Sequence, residues 1–384
     1  MSTARRKVIQ YTLNIMVIQN FMLRLLVWLK RSFGACCNRL LYNRRVAGVK
    51  YVHLMFNDKF NKPFVDFLNR YFDPKEHLVL CKRRCAHPFP EGDNVIEVKS
   101  YRGFEYDRKN IEYVIFHSLC DDEMVDILYR NEKLQNKSAW LIWGVDLYSA
   151  EQNEKNDYVR RHLRAFLTVA DGDGDYARQL YKVATPSFPI CYNLPISCEM
   201  IMRVKAELHK EPKRIHVQIN NSCDGSTLEM LYILSSFNRL DVEVSTILSY
   251  GDCRYKEEIT RVGNELFGDR FSYTDSFEDP EEYVRRMAKV NVLIMNQDRQ
   301  QGLGNITLGL ALGTKVFIKS TVSSYAYFTS KGIVIFDTNT IANLPFKEFV
   351  AYSREDRNRN MELACQFYDE ERMKTLWEEF LKNS

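Results

Sequence analysis

No run of about 18 uncharged apolar residues occurs in this 384-residue chain, so no segment reads as a membrane-spanning helix. A G-x-G-x-x-G fingerprint, a Walker P-loop, an H-E-x-x-H pair and a Ser-His-Asp order are also missing. Those absences remove the usual signatures of dinucleotide binding, nucleotide hydrolysis, zinc proteolysis and triad hydrolysis. No internal repeat or low-complexity tract stands out. Acidic residues are missing from one place: residues 1–50 hold ten Lys or Arg and no Asp or Glu. The remainder then carries 44 basic against 50 acidic residues, a balance of −6 beneath an overall charge of +4. A mildly acidic body argues against nucleic acid as a partner, which calls for a basic face.

Cysteine is present but not in a metal pattern. Ten cysteines are scattered, and only Cys81-x3-Cys85-x-His87 clusters, with Lys82, Arg83 and Arg84 between the sulfurs and no second pair at zinc spacing. A basic loop after a strand explains it more simply, and reduced, buried thiols are expected for the rest. The length suggests two domains, and 45% hydrophobic with 13% aromatic residues is enough for sizeable cores.

What is there begins with an amphipathic N-terminus. On a helical wheel begun at residue 8, Gln10, Asn14, Asn20, Arg24 and Arg31 gather on one side, opposite Val8, Tyr11, Ile15, Ile18, Met22, Leu26 and Leu29. Gln19, Val17, Phe21 and Trp28 blur the separation, and Arg39, Arg44 and Arg45 extend the basic patch. Such a helix suits the interface of an anionic membrane. A poor signal peptide, a core helix, or an upstream start with Met16, Met22 or Met55 as the true one remain open readings.

From Lys50 the chain alternates strand-like and helix-like runs. Tyr51–Phe56, His77–Lys82, Val95–Val98, Tyr113–Ser118, Trp140–Gly144 and Phe166–Ala170 read as strands of one half. Arg214–Asn220, Val242–Leu248, Phe271–Tyr273, Val290–Met295, Lys315–Ile318 and Ile333–Phe336 read as strands of a second. Alternation of β and α implies parallel sheets covered on both faces. The division is an appendage over 1–48, Rossmann-like halves over 49–205 and 212–340, and a helical segment over 341–384, with a ligand cleft between the halves.

The most informative stretch is Gln297-Asp298-Arg299-Gln300-Gln301-Gly302-Leu303-Gly304-Asn305, between a buried strand and a helix closed by Gly313. A turn at a strand's carboxyl end and a helix's amino end suits an anion. Gly302 and Gly304 allow close backbone approach and Arg299 offers a fork of donors. A loop that only reverses the chain fits the same residues. The first strand of the second half runs into Asn221-Ser222-Cys223-Asp224-Gly225-Ser226, where Asn221 and Ser222 could meet phosphate and Ser226 could cap a helix.

In the first half, Asp146 of Trp143-Gly144-Val145-Asp146-Leu147-Tyr148 is expected at a strand's carboxyl end, facing the cleft, as a general base or as a structural cap. His117 ends a neighbouring strand and is the second candidate, or a structural histidine. Asp171-Gly172-Asp173-Gly174-Asp175 invites a metal, but it lacks the twelfth-position Glu of an EF-hand and reads as a turn and helix cap.

Together these pieces resemble the TDP-N-acetylfucosamine:lipid II N-acetylfucosaminyltransferases, which move 4-acetamido-4,6-dideoxygalactose in bacterial envelope polysaccharide assembly. The resemblance rests on Ile142-Trp143-Gly144-Val145-Asp146-Leu147-Tyr148, on Asn221-Ser222 with Asp224 and Ser226, and on Arg299-Gln300-Gln301-Gly302-Leu303-Gly304. Weaker matches are Phe116-His117, Tyr250-Gly251 and the helix of Tyr283. Two features depart from the family pattern: the first 48 residues, and Asn220 and Cys223 where glycines usually flank Asn-Ser.

The resemblance implies an α/β GT-B fold, two facing Rossmann-like domains with acceptor on the first and nucleotide sugar on the second. It implies a TDP-sugar donor, a polyprenyl-diphosphate-linked saccharide acceptor, no metal or other cofactor, and a peripheral place on the cytoplasmic face of the bacterial inner membrane. Arg299, Gln300, Gln301, Gly302, Gly304, Asn221 and Ser222 would hold the donor diphosphate, with Asp224, Ser226, Tyr250 and Gly251 nearby. Asp146 and His117 would be catalytic. A sugar-nucleotide epimerase of the same fold and a non-enzymatic, membrane-recruited sugar-nucleotide-binding protein are the alternatives.

Overall fold

The computed structural model describes residues 42–85, 87–149, 153–192, 195–207, 214–220, 226–249, 253–276 and 278–383. The amphipathic appendage, except for its last few residues, and Asn221, Ser222, Asp224, Tyr250 and Gly251 lie outside the described residues.

The apolar runs of the first half become β1 (Tyr51–Phe56), β2 (His77–Lys82), β3 (Val95–Val98), β4 (Tyr113–His117), β5 (Ser138–Leu141), β6 (Ala165–Thr168) and β7 (Ser187–Pro189). They form one sheet ordered β3-β2-β1-β4-β5-β6-β7, parallel at every pairing. β4, β5 and β6 are buried along their whole length, because helices cover both faces of a parallel sheet.

The second half gives β8 (Ile215–Asn220), β9 (Val242–Ile247), β10 (Phe271–Thr274), β11 (Val292–Met295), β12 (Lys315–Ile318) and β13 (Phe336–Asp337). Their order is β10-β9-β8-β11-β12-β13, again all parallel. The strand order reverses between β1 and β4 and again between β8 and β11. At each reversal the carboxyl strand ends open a crevice, the usual ligand site of such sheets.

Three local expectations are corrected. The expected strand Trp140–Gly144 stops at Leu141, because Gly144 takes φ +83° and opens the short helix Val145–Tyr148. The run Asp171–Asp175 is not a turn ahead of a helix but the first turn of helix Asp171–Tyr181, where acidic side chains favour the positive helix end. The described residues from 341 on form three α-helices that part company. Phe346–Val350 and Arg354–Cys365 pack on the second domain, through Phe349 beside Phe317 and through Ala364. Glu370–Lys382 instead lies on the first sheet, where Met373, Trp377, Phe380 and Leu381 join the core around Phe64 and Tyr113. The Trp377 indole N–H donates to the Cys191 carbonyl at 3.1 Å.

The helix Leu303–Leu312 has no charged residue and is buried from Ile306 to Leu312, as a helix apolar all round must be. It starts at Gly302 and ends at Gly313, both left-handed. At its end the Gly313 and Thr314 N–H groups bond to the carbonyls of Leu310 and Gly309. No helix among the described residues is long and apolar enough to cross a membrane.

Candidate active site

On the second domain, β8 ends at Asn220 and β11 at Met295, side by side at the reversal of strand order. Asn220 anchors the polar turn. Its carbonyl accepts from Gln297 Nε2 at 2.8 Å and its side-chain oxygen from Asn305 Nδ2 at 2.5 Å. The Tyr283 hydroxyl donates to the other end of Asn305 at 2.5 Å, which gives the Tyr283 helix a part in the site. Gly302 sits at φ +68°, and a Cβ there would lie 2.8 Å from Met295 Cε and 3.4 Å from Asn220 Nδ2. Only glycine lets the chain turn this tightly over the strand ends. Behind it the N–H groups of Asn305 and Ile306 bond to the Gly302 carbonyl, and the first N–H groups of the helix, including that of Gly304, have no acceptor within it. Arg299 Nη1 donates to the Gln300 carbonyl at 3.3 Å, and Lys319 pairs with Asp298 at 2.5 Å. Ser226 begins the neighbouring helix Ser226–Leu234 and is buried.

The first domain meets this turn directly. A Cβ on Gly144 would lie 2.5 Å from Gln300 Oε1 and 3.3 Å from the Gln300 carbonyl oxygen. The two sequence motifs, distant along the chain, are in contact. A second bridge lies beside it: the Tyr148 and Ser323 hydroxyls both donate to Asp173 Oδ1 at 2.8 Å, one from each domain. Burial pushes Asp173 up to about 6, against those two donors.

Asp146 does not face the cleft as its strand-end position suggested. It is 1% exposed and points into the first domain. Oδ2 accepts from Trp140 Nε1 at 2.6 Å and from the Leu119 N–H at 2.9 Å, and Oδ1 from the Trp143 N–H at 2.9 Å. Three donors make burial of a carboxylate tolerable, and they tie the β4 and β5 loops together. His117 is also buried. Its Nε2 meets His53 Nδ1 at 3.0 Å, His53 Nε2 meets His77 Nδ1 at 3.1 Å, and its own Nδ1 meets the Tyr192 hydroxyl at 3.0 Å. Desolvation lowers His117 and His77 to about 3, and lowers His53 as well, with help from its two neighbours. All three rings are therefore neutral near pH 7. Neither His53 nor His77 is marked in the sequence, since only the strand register brings them to one face.

His117 also lines a pocket of about 130 Å³ with Phe56, Asp58, Asn61, Ser118, Trp143 and others, at the first domain's own strand reversal. A larger depression of about 650 Å³ is an open groove along the helix Glu154–Arg161 and shares no residue with either motif. Among the described residues no group of His, Cys, Asp and Glu is placed to hold a metal. Cys81 is buried in the core, while exposed Cys85 turns its thiol to the Asn57 carbonyl at 3.0 Å.

The chain is similar in structure to several solved proteins. A glycosyltransferase from Rickettsia africae ESF-5 aligns with a TM-score of 0.59 at 12% identity, covering 87% of this chain and all of that one. A sucrose-phosphate synthase from Thermosynechococcus elongatus gives 0.63 at 11% identity, with the same coverage. HepE from Anabaena, solved in complex with UDP and glucose, gives 0.58 at 11% identity, also over 87% of this chain and all of its own. At such identities these likenesses establish the fold alone. No curated protein matches the sequence significantly. The family model described as 4-alpha-L-fucosyltransferase, glycosyl transferase group 56, does match, over residues 106–361, a span that holds both motifs and the contact between them. With two parallel-sheet domains facing across that contact, the chain belongs to this fucosyltransferase family and is a glycosyltransferase of GT-B fold.

Proposed function

We propose that the enzyme moves a 4-acetamido-4,6-dideoxygalactose-type sugar from a TDP donor to a polyprenyl-diphosphate-linked saccharide, at the cytoplasmic face of a bacterial inner membrane. The observation that carries this reading is the contact of Gly144 with Gln300, which joins the two turns of the resemblance in one cleft. The diphosphate is assigned to the amino end of helix Leu303–Leu312. There the helix dipole, the free N–H groups of Leu303 and Gly304, and Arg299 take up the charge of the departing TDP. Gln300 and Gln301 border that site. Asn221 and Ser222 are assigned to the diphosphate with them, and Asp224, Ser226, Tyr250 and Gly251 to the rest of the donor.

A donor site built this way supplies positive charge from the protein itself, so the reaction is proposed to run without a metal. Asp146 acts in this scheme by holding the Trp143-Gly144 turn in place, and His117 by forming the wall of the neighbouring pocket. The basic segment 1–48 would seat the enzyme on anionic lipid, where its acceptor is anchored. Calorimetry with TDP, UDP and GDP sugars on the full-length protein tests the donor assignment. TDP-sugar should bind best, and Arg299→Ala should weaken it about ten- to hundredfold, the worth of a hydrogen bond to a charged group. Unchanged affinity in that variant would remove the diphosphate from this turn.

A further inference from the structure

The pocket beside His117 has no assigned occupant, and its walls have a definite chemistry. It opens at the carboxyl ends of β1 and β4, where the strand order reverses, on the acceptor side of the fold as read above. Aromatic rings form one side: Trp143 lines it, and Phe60 packs on Trp143 at 5.1 Å between centroids. The Trp143 indole N–H is buried and has no partner among the described residues, which is a cost unless something else accepts from it. The next residue along, Gly144, touches Gln300, so the pocket adjoins the proposed diphosphate turn. Asp58 lies in the wall. Its Oδ1 accepts from the backbone N–H groups of Phe60 and Asn61, at 2.7 and 3.2 Å. Oδ2 accepts from none of the described residues. Unlike Asp146, this carboxylate keeps an oxygen for a substrate.

We infer that this pocket binds the acceptor's terminal pyranose against Trp143, and that Asp58 is the general base that receives the proton of the attacking hydroxyl. The inference rests on the transferase reading and adds to it the acceptor subsite and the base. The step balances. The hydroxyl oxygen bonds to the donor's anomeric carbon, and its proton passes to Asp58 Oδ2. The bond from that carbon to the diphosphate oxygen breaks, and the electron pair leaves with TDP at the second domain's turn. A single displacement of this kind, with the hydroxyl attacking the face opposite the departing diphosphate, inverts the anomeric centre.

Burial raises Asp58 to about 6, with its two backbone donors and Lys59 pulling the other way, so it is a carboxylate at neutral pH with useful basicity. The titratable groups around it are Lys59, Cys81 and Tyr192 through the field they share with it, and His117 and Cys120 in the pocket wall. His117 is neutral in this range and both thiols and the phenol are raised by burial, so the acid limb belongs to Asp58.

The test uses full-length protein, a TDP-sugar donor and a lipid-linked disaccharide in detergent. Wild-type turnover tests the transferase reading itself. Given turnover, kcat/KM should rise through a midpoint near pH 6. Asp58→Asn should lower kcat about 10²–10⁴-fold, with donor affinity and melting temperature unchanged. Asp58→Glu should recover part of the loss. If Asp58→Asn kept kcat within about threefold of wild type, or the product retained the donor's configuration, the base assignment would be overturned while the transferase stood. If the wild-type protein makes no product from this pair, the pocket is judged by binding. Tryptophan fluorescence should respond to the lipid-free disaccharide, and the response should vanish in Trp143→Phe. No response in the wild-type protein would overturn the subsite.

Discussion

Replacing Asp146 by asparagine separates a positioning carboxylate from a catalytic one. The substitution keeps the shape and removes one acceptor oxygen. In the folded protein Oδ2 serves two donors, Trp140 Nε1 and the Leu119 N–H, and Oδ1 serves the Trp143 N–H. Whichever way the new amide is turned, its NH2 group faces at least one of these N–H groups. One hydrogen bond to a charged group is then lost, about 1.5–3 kcal/mol, and a buried donor is left unmet at about 1–3 kcal/mol more. Water cannot relieve it at a residue 1% exposed. We expect Asp146→Asn to lower stability by about 2.5–6 kcal/mol, read as a shift in urea midpoint at constant m-value. Activity should fall too, because the Trp143-Gly144 turn loosens, but its pH dependence should keep the wild-type acid limb. Wild-type stability together with a lost acid limb would refute this reasoning and return Asp146 to the role of base.

Three further outcomes follow from the geometry. Gly302→Ala puts a Cβ 2.8 Å from Met295 Cε at a left-handed position, so TDP-sugar affinity measured by calorimetry should fall, with about 1–3 kcal/mol of backbone strain behind it. Trp377→Ala empties a fully buried site between the C-terminal helix and the first sheet and should cost about 3–5 kcal/mol in denaturant unfolding. Stability should also fall between pH 7 and pH 5. His53, His77 and His117 titrate lower when folded than the 6.5 of the unfolded chain, so the stability their neutral forms confer is present above that value and is lost as pH falls. His77 and His117 account for about 2 kcal/mol each over that range, and His53 acts in the same sense. Asp58 and Asp173 are raised to about 6 and act in the opposite sense, at about 1 kcal/mol each. Urea midpoints at the two pH values check the sum, and a midpoint that stays flat or rises would contradict the buried neutral histidines.

Much of the fold is written locally. Strands buried on both faces leave unbroken apolar runs, and β1, β2, β3 and β12 have the limits the sequence suggests. The helix read from Asn305 and closed by Gly313 is legible at its end, and the structure starts it two residues earlier, at Leu303. What is not legible depends on partners far along the chain. Met373, Trp377, Phe380 and Leu381 announce an apolar helix face, yet nothing in them says that it covers the first sheet and not the second.

Asp146 looks like a strand-end base because sequence gives its position and not its direction. Its donors come from residues 119, 140 and 143, and only the fold aims it at them. Asp58 is the converse case. It looks like an ordinary loop residue until the sheet order shows that β1 borders the reversal. The same holds for His53 and His77, which meet only because β1, β2 and β4 are neighbours in register.

The most direct test is to incubate purified full-length protein with TDP-4-acetamido-4,6-dideoxygalactose and a lipid-linked disaccharide, and to analyse the products by mass spectrometry. Release of TDP together with a lipid-linked trisaccharide is the expected result. Tight donor binding with no product would contradict the assigned acceptor, and a protein that bound no TDP-sugar at all would contradict the donor site at its centre.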